Sequence, residues 1–326
     1  MPERILVTGG AGCIGSDLAA ALLTRGALVT VFDNLSSGKI EHVAPMLDDE
    51  RFRFVEGDLL DRDLLDSVIE GQDMVYHLAA NPDVKYAPGD ATDKDLTQNT
   101  LCTYNVLESM RVHGVRRLGF SSTSAVYGMS ARQPIPEDNP MHPISLYGAT
   151  KLGCEALACA FQNLFDFDCW IFRFANIVGP KVRKKGRTVI GDFVARLRQD
   201  PTRLRILGNG LQAKSYLLSE ECVEAMLYIV EHAPRGFHVF NLGCTDSLEV
   251  RRIARMVIEA MGLANVRFEY TGGEGGWPGD VPRFTLDVSA VNRLGWCAQR
   301  TSEQAVALAI RSTLEQNQEA VGACRP

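Results

Sequence analysis

A chain of 326 residues, 46% hydrophobic, with 34 Lys and Arg against 40 Asp and Glu for a net charge of −6, is long enough for one large domain or two ordinary ones. No apolar run approaches the ~20 residues that cross a bilayer, and the mildly acidic balance lacks the clustered basic face of nucleic-acid binders, so a soluble protein without a membrane or nucleic-acid partner is expected. Nine cysteines with no Cys-x-x-Cys pair and six dispersed histidines indicate neither a metal site nor a disulfide framework, and Met1-Pro2-Glu3-Arg4 begins nothing like a signal peptide, which predicts reduced thiols in the cytoplasm.

In chain order, Arg4 to Thr8 is a short apolar run halted by Gly9-Gly10-Ala11-Gly12, after which Ile14, Leu18, Ala21 and Leu22 recur at helical spacing: strand, tight turn, helix. Leu28 to Asp33 reads as a second buried strand ending on an acid. A strand over 52–56, a helix from Arg62 to about Glu70 and a strand over 74–78 follow; His77, at the end of that apolar run, reads as structural. An amphipathic helix is predicted from about Asp95 to His113, then a strand from Arg117 to Ser121. Strands alternating with helices make a parallel sheet covered on both faces, and right-handed crossovers make it a Rossmann-like, doubly wound α/β domain.

A loop rich in proline (Pro134, Pro136, Pro140, Pro143) separates Gly128 from Tyr147; without a Pro-x-x-Pro register it reads as an ordered active-site loop. A helix from Tyr147 to about Phe165 leads to a strand over 169–174, and composition shifts near Val178-Gly179-Pro180. We therefore expect a first domain over 1–178 and a smaller α/β substrate domain over 179–326, with 237–262 returning to the first as one strand-helix unit. Helices are predicted over 189–197 and 219–231, and a strand over 204–207. In the returning unit a helix starts at Leu248, opened by Asp246 and Glu249 as a capping pair; a final helix starts at Thr301 with Gln304 as its partner.

Two segments carry chemistry. Tyr147 and Lys151 stand four apart on one helix face, where an ammonium beside a phenol favours phenolate and moves its value down toward the range of a useful base. Gly9, Gly12 and Gly15 follow a strand, open a helix and precede Asp33 at the end of the next strand. A turn without side chains lets a pyrophosphate reach the positive helix end, while the acid binds ribose hydroxyls and repels a 2′-phosphate; the pattern predicts NAD in preference to NADP.

With Thr8 to Gly15, Asp33-Asn34, Gly57-Asp58-Leu59, His77-Leu78-Ala79-Ala80, Asn99, Ser121 to Gly128, Tyr147-Gly148-Ala149-Thr150-Lys151 and Arg173-Phe174-Ala175-Asn176 in this order, the chain resembles an extended short-chain dehydrogenase/reductase of the UDP-glucose 4-epimerase type. The resemblance implies catalysis by Thr123, Tyr147 and Lys151, with Ser122 and Ser124 as near rivals for the hydroxyl. It implies cofactor contacts from Gly9, Gly12, Cys13, Ile14 and Gly15 in the turn, and from Asp33, Asn34, Ser36, Ser37 and Gly38 after the second strand. Asp58 and Leu59 would flank the adenine, Leu78, Ala79 and Ala80 would line the cofactor path, and Asn99, Ser121, Tyr147 and Lys151 complete the set. The activity implied is inversion of C4 of a UDP-sugar through a transient 4-keto intermediate, with NAD retained, in a homodimer whose helices at 95–113 and 147–165 pair about a two-fold axis.

For the sugar nucleotide the resemblance implies Lys85, Thr123, Asn176, Val189, Lys214, Tyr216 and Asp280. Lys214 stands where many relatives have arginine, and Trp277-Pro278-Gly279-Asp280 lacks another familiar arginine. Dehydratases of this superfamily usually carry Asp-Glu after the active-site hydroxyl; Ser124 and Ala125 stand there, which disfavours elimination. The basic run Lys181, Arg183, Lys184, Lys185, Arg187 reads first as a solvated loop, and otherwise as placing Arg187 or Arg183 on the carboxylate of a UDP-uronic acid. The alternatives are therefore a UDP-uronic acid 4-epimerase, another NAD(P)-dependent sugar-nucleotide dehydratase or reductase, and a dinucleotide-sensing regulator.

Overall fold

The computed structural model describes residues 1–81, 83, 89, 91–181 and 188–322, with side chains through 315. Six strands supply the first part of the sheet: β1 (Arg4–Thr8), β2 (Leu28–Asp33), β3 (Phe52–Glu56), β4 (Met74–His77), β5 (Arg117–Thr123) and β6 (Asp168–Phe174). Alternate residues serve opposite faces, as the pleat requires: Ile5, Val7, Val31 and Trp170 enter one core, Leu6, Phe32, Val75 and Ile171 the other. Helix α1 (Cys13–Thr24) closes the first core with Leu18 and Leu22. Helices α2 (Arg62–Ile69), α3 (Cys102–Val112) and α4 (Leu146–Phe165) close the second with Leu65, Val106, Leu107, Cys154 and Ala158.

After β6 come β7 (Asn176–Val178), α5 (Val189–Gln199), β8 (Arg203–Ile206), β9 (Ala213–Lys214), β10 (Tyr216–Leu218), α6 (Ser219–His232) and β11 (Phe237–Leu242). They are followed by β12 (Leu248–Glu249), α7 (Val250–Ala260), β13 (Arg267–Tyr270), β14 (Arg283–Phe284), α8 (Ser289–Leu294) and α9 (Ser302–Gly322). The large sheet has seven parallel strands in the order β11-β6-β5-β4-β1-β2-β3, a doubly wound Rossmann-like α/β arrangement. Its outer strand β11 pairs with β6 from Phe237 opposite Cys169 to Leu242 opposite Phe174. Helix α7, next along the chain, packs instead with α5 and α9 around a third core of Phe193, Leu197, Ile253, Val257, Val306 and Ile310.

Two sequence expectations are corrected. The helix predicted from Asp95 opens as a π-helical turn, Leu96–Leu101, and becomes α-helical only at Cys102. Buried polar bonds hold this wider turn: Asn99 accepts from the Asn81 N–H at 2.8 Å and donates to Thr150 at 3.0 Å. Asp246 does not cap a helix at Leu248; it accepts from the Ser302 N–H at 3.0 Å at the start of α9, and Leu248–Glu249 pair antiparallel with β9. The Thr301–Gln304 exchange does form, at 3.0 and 3.3 Å.

The proline-rich loop is anchored at several points. The Ile135 N–H donates to Thr285 and the Ile135 carbonyl accepts from the Asp287 N–H, both at 2.8 Å, while the Arg173 guanidinium donates to the Glu137 carbonyl at 2.8 Å. Among the described residues no helix is long and apolar enough to cross a membrane.

Candidate active site

Parallel strands point their carboxyl ends to one edge, and the side chains gathered there line a cavity of about 640 Å³. At one end lies the glycine turn. Gly9 adopts a φ of 70°, and a Cβ there would stand 2.6 Å from the Ala79 nitrogen; a Cβ on Gly15 would stand 2.3 Å from the Gly9 carbonyl oxygen. Only bare backbone fits, and it brings β1 to the start of α1, whose first turn has neither an acidic residue nor a side-chain cap. Asp33 is buried and accepts from the N–H groups of Ala11 at 3.0 Å and Leu35 at 2.8 Å, which fixes its carboxylate on the cavity wall. Asn34 donates to Asp58 at 2.8 Å beside it.

At the other end are Ser121, Tyr147 and Lys151. Ser145 caps α4 by accepting from the Gly148 N–H at 3.1 Å; a Cβ on Gly148 would stand 2.6 Å from the Ala125 carbonyl oxygen, so glycine there lets the helix press against the end of β5. Thr123 terminates β5, accepts from the Ala125 N–H at 3.1 Å and hydrogen-bonds the Tyr147 phenol. Lys151 is buried, donates to the Ser121 carbonyl at 2.7 Å, and lies 4.7 Å from the centre of the Phe120 ring. Burial pulls its ammonium down to about 8. The expected lowering of the phenol is overturned. Burial raises half-buried Tyr147 to about 12, the Asp95 carboxylate adds to the rise, and only Thr123 works against them.

Behind Ser122 lies a buried network. Ser122 donates to Glu155, which Arg173 grips through Nη2 at 2.7 Å and Nε at 3.0 Å; Arg173 also donates to the Tyr127 hydroxyl at 2.9 Å. Both faces of the pair are nearly closed to water, so its cost is met by these hydrogen bonds. His77 bonds Thr8 at 2.6 Å and Thr103 at 3.0 Å, and burial pushes it down to about 3: a neutral packing residue.

Every expected cofactor residue in the glycine turn, the loop after β2, the Asp58–Leu59 pair and the Leu78–Ala80 stretch lines the cavity. Asn99 does not; its amide is used within the buried cluster of Asn81, Asp95 and Thr150, and it acts on the site by shaping the π-helical turn. Of the residues expected at the sugar nucleotide, Thr123, Asn176, Val189, Lys214, Tyr216 and Asp280 do not line the cavity; Lys214 pairs with Asp280 at 2.5 Å and lies 5.0 Å from the centre of the Trp277 ring. Tyr216 hydrogen-bonds Asn176, and Val189 opens α5 behind its Thr188 cap. Lys85, Arg183 and Arg187 lie outside the described residues.

Sequence reasoning missed several wall residues: His42 and Lys39, Thr97 and Gln98 of the π-helical turn, Phe174, Lys181 and Thr188. A period of 3.6 puts Thr97 and Gln98 on a polar helix face with nothing to mark them. A usable signal existed for Phe174, which ends β6 at the carboxyl edge of the large sheet, where open parallel sheets bind ligands.

The family model described as "NAD dependent epimerase/dehydratase family" matches residues 5–243. A UDP-glucose 4-epimerase of Mycolicibacterium smegmatis is 32% identical over 308 residues, 93% of this chain and 96% of its own. Among solved structures, a UDP-galactose 4-epimerase superposes with a TM-score of 0.84 at 37% identity, covering 96% of this chain and 99% of its own. A UDP-glucuronic acid 4-epimerase from Bacillus cereus, in complex with UDP-4-deoxy-4-fluoro-glucuronic acid and NAD, superposes with a TM-score of 0.87 at 25% identity over 96% and 99%.

Proposed function

The chain belongs to the NAD-dependent epimerase/dehydratase family, and on that premise we propose that it inverts C4 of a UDP-sugar of the glucose/galactose type, keeping its NAD through the cycle. The observation that carries this reading is that Tyr147 and Lys151 line one end of the cavity and Thr123 hydrogen-bonds the Tyr147 phenol, with Ser124 and Ala125 in place of an acid pair. NAD fits the other end: bare glycines where the diphosphate approaches, a helix start without a competing carboxylate, and Asp33 locked in place for ribose hydroxyls. When bound, NAD would supply a hydride acceptor and a positive ring at the Tyr147 end.

The protein's own groups handle position and protons. Thr123 shares a hydrogen bond with the phenol and would hold the C4 oxygen, fixing which proton moves. Tyr147 would take that proton as the C4 hydrogen departs, and return one after the 4-keto sugar has presented its other face. The phenol stays protonated at neutral pH in this environment, so ionisation is coupled to the arrival of positive charge beside it. Lys214, Tyr216, Asn176 and Asp280 would lie near the diphosphate or the nucleoside, Asp280 acting through its pair with Lys214, with Val189, Lys85 and Arg187 at the sugar. The second reading, a UDP-uronic acid substrate, rests on the basic run and on the likeness to the Bacillus cereus enzyme.

We also place a homodimer interface on α3 and α4, where Val112 is 57% exposed and Leu164 72%, beside Leu101 and Tyr104. A monomer by light scattering at micromolar concentration would refute it. We also propose a reducing cytoplasm as its compartment, from nine scattered cysteines with no Cys-x-x-Cys pair. The deciding assay supplies UDP-glucose, UDP-galactose and the two UDP-uronates without added cofactor and identifies products by NMR. Inverted C4 at constant NAD supports the proposal; a 4-keto-6-deoxy product, or turnover that needs added NAD(P), defeats it.

A further inference from the structure

Sequence patterning places the whole basic run after β7 in solvent, but its first residue departs from that. Lys181 lines the same cavity as Gly12 and Cys13. Its ammonium donates to Asp17 Oδ1 at 2.7 Å and to Ser16 Oγ at 3.2 Å, both in the opening turns of α1. Lys181 follows β7, which pairs with β10, while α1 springs directly from the glycine turn. One side chain thus ties the segment leading into the third core to the helix that begins the cofactor site.

We infer that Lys181 is a cofactor latch: its ammonium contacts the diphosphate of bound NAD and slows release of the dinucleotide. The inference rests on the family's NAD and is independent of which sugar is turned over. An ammonium has three donors, and Asp17 and Ser16 take two, leaving one for the cavity the residue lines. A dinucleotide running from Asp33 to Tyr147 must pass Gly12 and Cys13, and so must pass Lys181. Asp17 serves as a tether that keeps a flexible side chain over the site, so little rotamer entropy remains to be lost on contact. The neighbouring Cys13 thiol is no rival for the anion: burial and the Asp17 carboxylate push it up to about 12, and it stays neutral.

The test uses full-length wild type and the variants Lys181→Met, Lys181→Arg and Asp17→Asn. Two quantities are read: NAD per chain after gel filtration, and the rate at which NAD is lost to an excess of a scavenging dehydrogenase. Loss of one charge-assisted contact should speed release about tenfold or more in Lys181→Met. Lys181→Arg should stay near wild type, and Asp17→Asn should keep its NAD, because the asparagine oxygen still accepts from the ammonium and holds it over the site without neutralising its charge. Release from wild type should also quicken as potassium chloride is raised, a measurement that stands even if a variant fails to fold. Equal release from Lys181→Met and wild type, loss from Asp17→Asn as fast as from Lys181→Met, or release indifferent to salt would each overturn the latch. A wild type purified without NAD would overturn the retained-cofactor reading along with it.

Discussion

The glycine turn and the cluster around Lys214 satisfy their polar groups in opposite ways. In the turn, main chain meets main chain: Gly12 N–H donates to Gly9 O at 3.0 Å, and Asp33 is held by backbone N–H groups of its own loop and of the turn. Around Lys214, side chains distant in sequence reach one another: Lys214 on β9 pairs with Asp280 from the loop before β14, which also accepts from the Gly276 N–H at 2.8 Å, and Tyr216 on β10 bonds Asn176 on β7. The first arrangement is written into a dozen neighbouring residues and tolerates no added atom. The second depends on one charge pair and one neutral hydrogen bond, which can be exchanged without moving a strand. On the proposed function, cofactor use would be the conservative property of this molecule and choice of sugar nucleotide the adjustable one.

Substitutions can break that division. Tyr147→Phe removes the proton acceptor while leaving the ring, so turnover should fall about 10³-fold with NAD content unchanged; an active variant would place the base elsewhere. Gly15→Ala puts a methyl 2.3 Å from the Gly9 oxygen, so NAD retention should drop and stability fall by roughly 1–3 kcal/mol, read by thermal melting and by cofactor content. Lys214→Met leaves the buried Asp280 carboxylate unpaired; stability should fall by about 3–5 kcal/mol and KM for the UDP-sugar rise on the order of tenfold, while NAD stays bound. Simultaneous loss of NAD from that variant would dissolve the contrast between the two regions.

The smallest effect is one of pH. Burial holds the Lys151 ammonium at about 8, below its usual value, so the folded protein gives up that proton more readily than the unfolded chain. Stability linked to this group rises as pH climbs from about 8 through the usual lysine range, whereas kcat/KM, which needs the cation, should decline above about pH 8. A profile flat to pH 10 would show that bound ligands keep Lys151 charged.

The sheet was legible because its strands are short apolar runs bounded by glycine or acid, and the cofactor cradle because strand, turn, helix and acid are consecutive. Tyr147, Lys151 and Thr123 could be chosen from spacing and resemblance, yet the state of the phenol could not, since it depends first on its burial and then on the Asp95 carboxylate, which only the fold brings near. The π-helical turn was hidden because a single buried amide, Asn99, widens a helix whose apolar pattern is ordinary. Asp246 misled for a related reason: its nearest sequence partner, Glu249, is not its partner in space, which is Ser302 more than fifty residues on.

Strand β11 gives the gene a constraint of its own. It reaches the outer edge of the sheet only after the chain has passed through β7 to α6, and it covers β6 along six residue pairs. A fragment stopped at Val178 would bare that edge as a template for other chains. A cut anywhere between β6 and β11 would part the large sheet from its outer strand, so the residues before and after β11 can be exchanged for a relative's only as two separate pieces around a strand that stays behind.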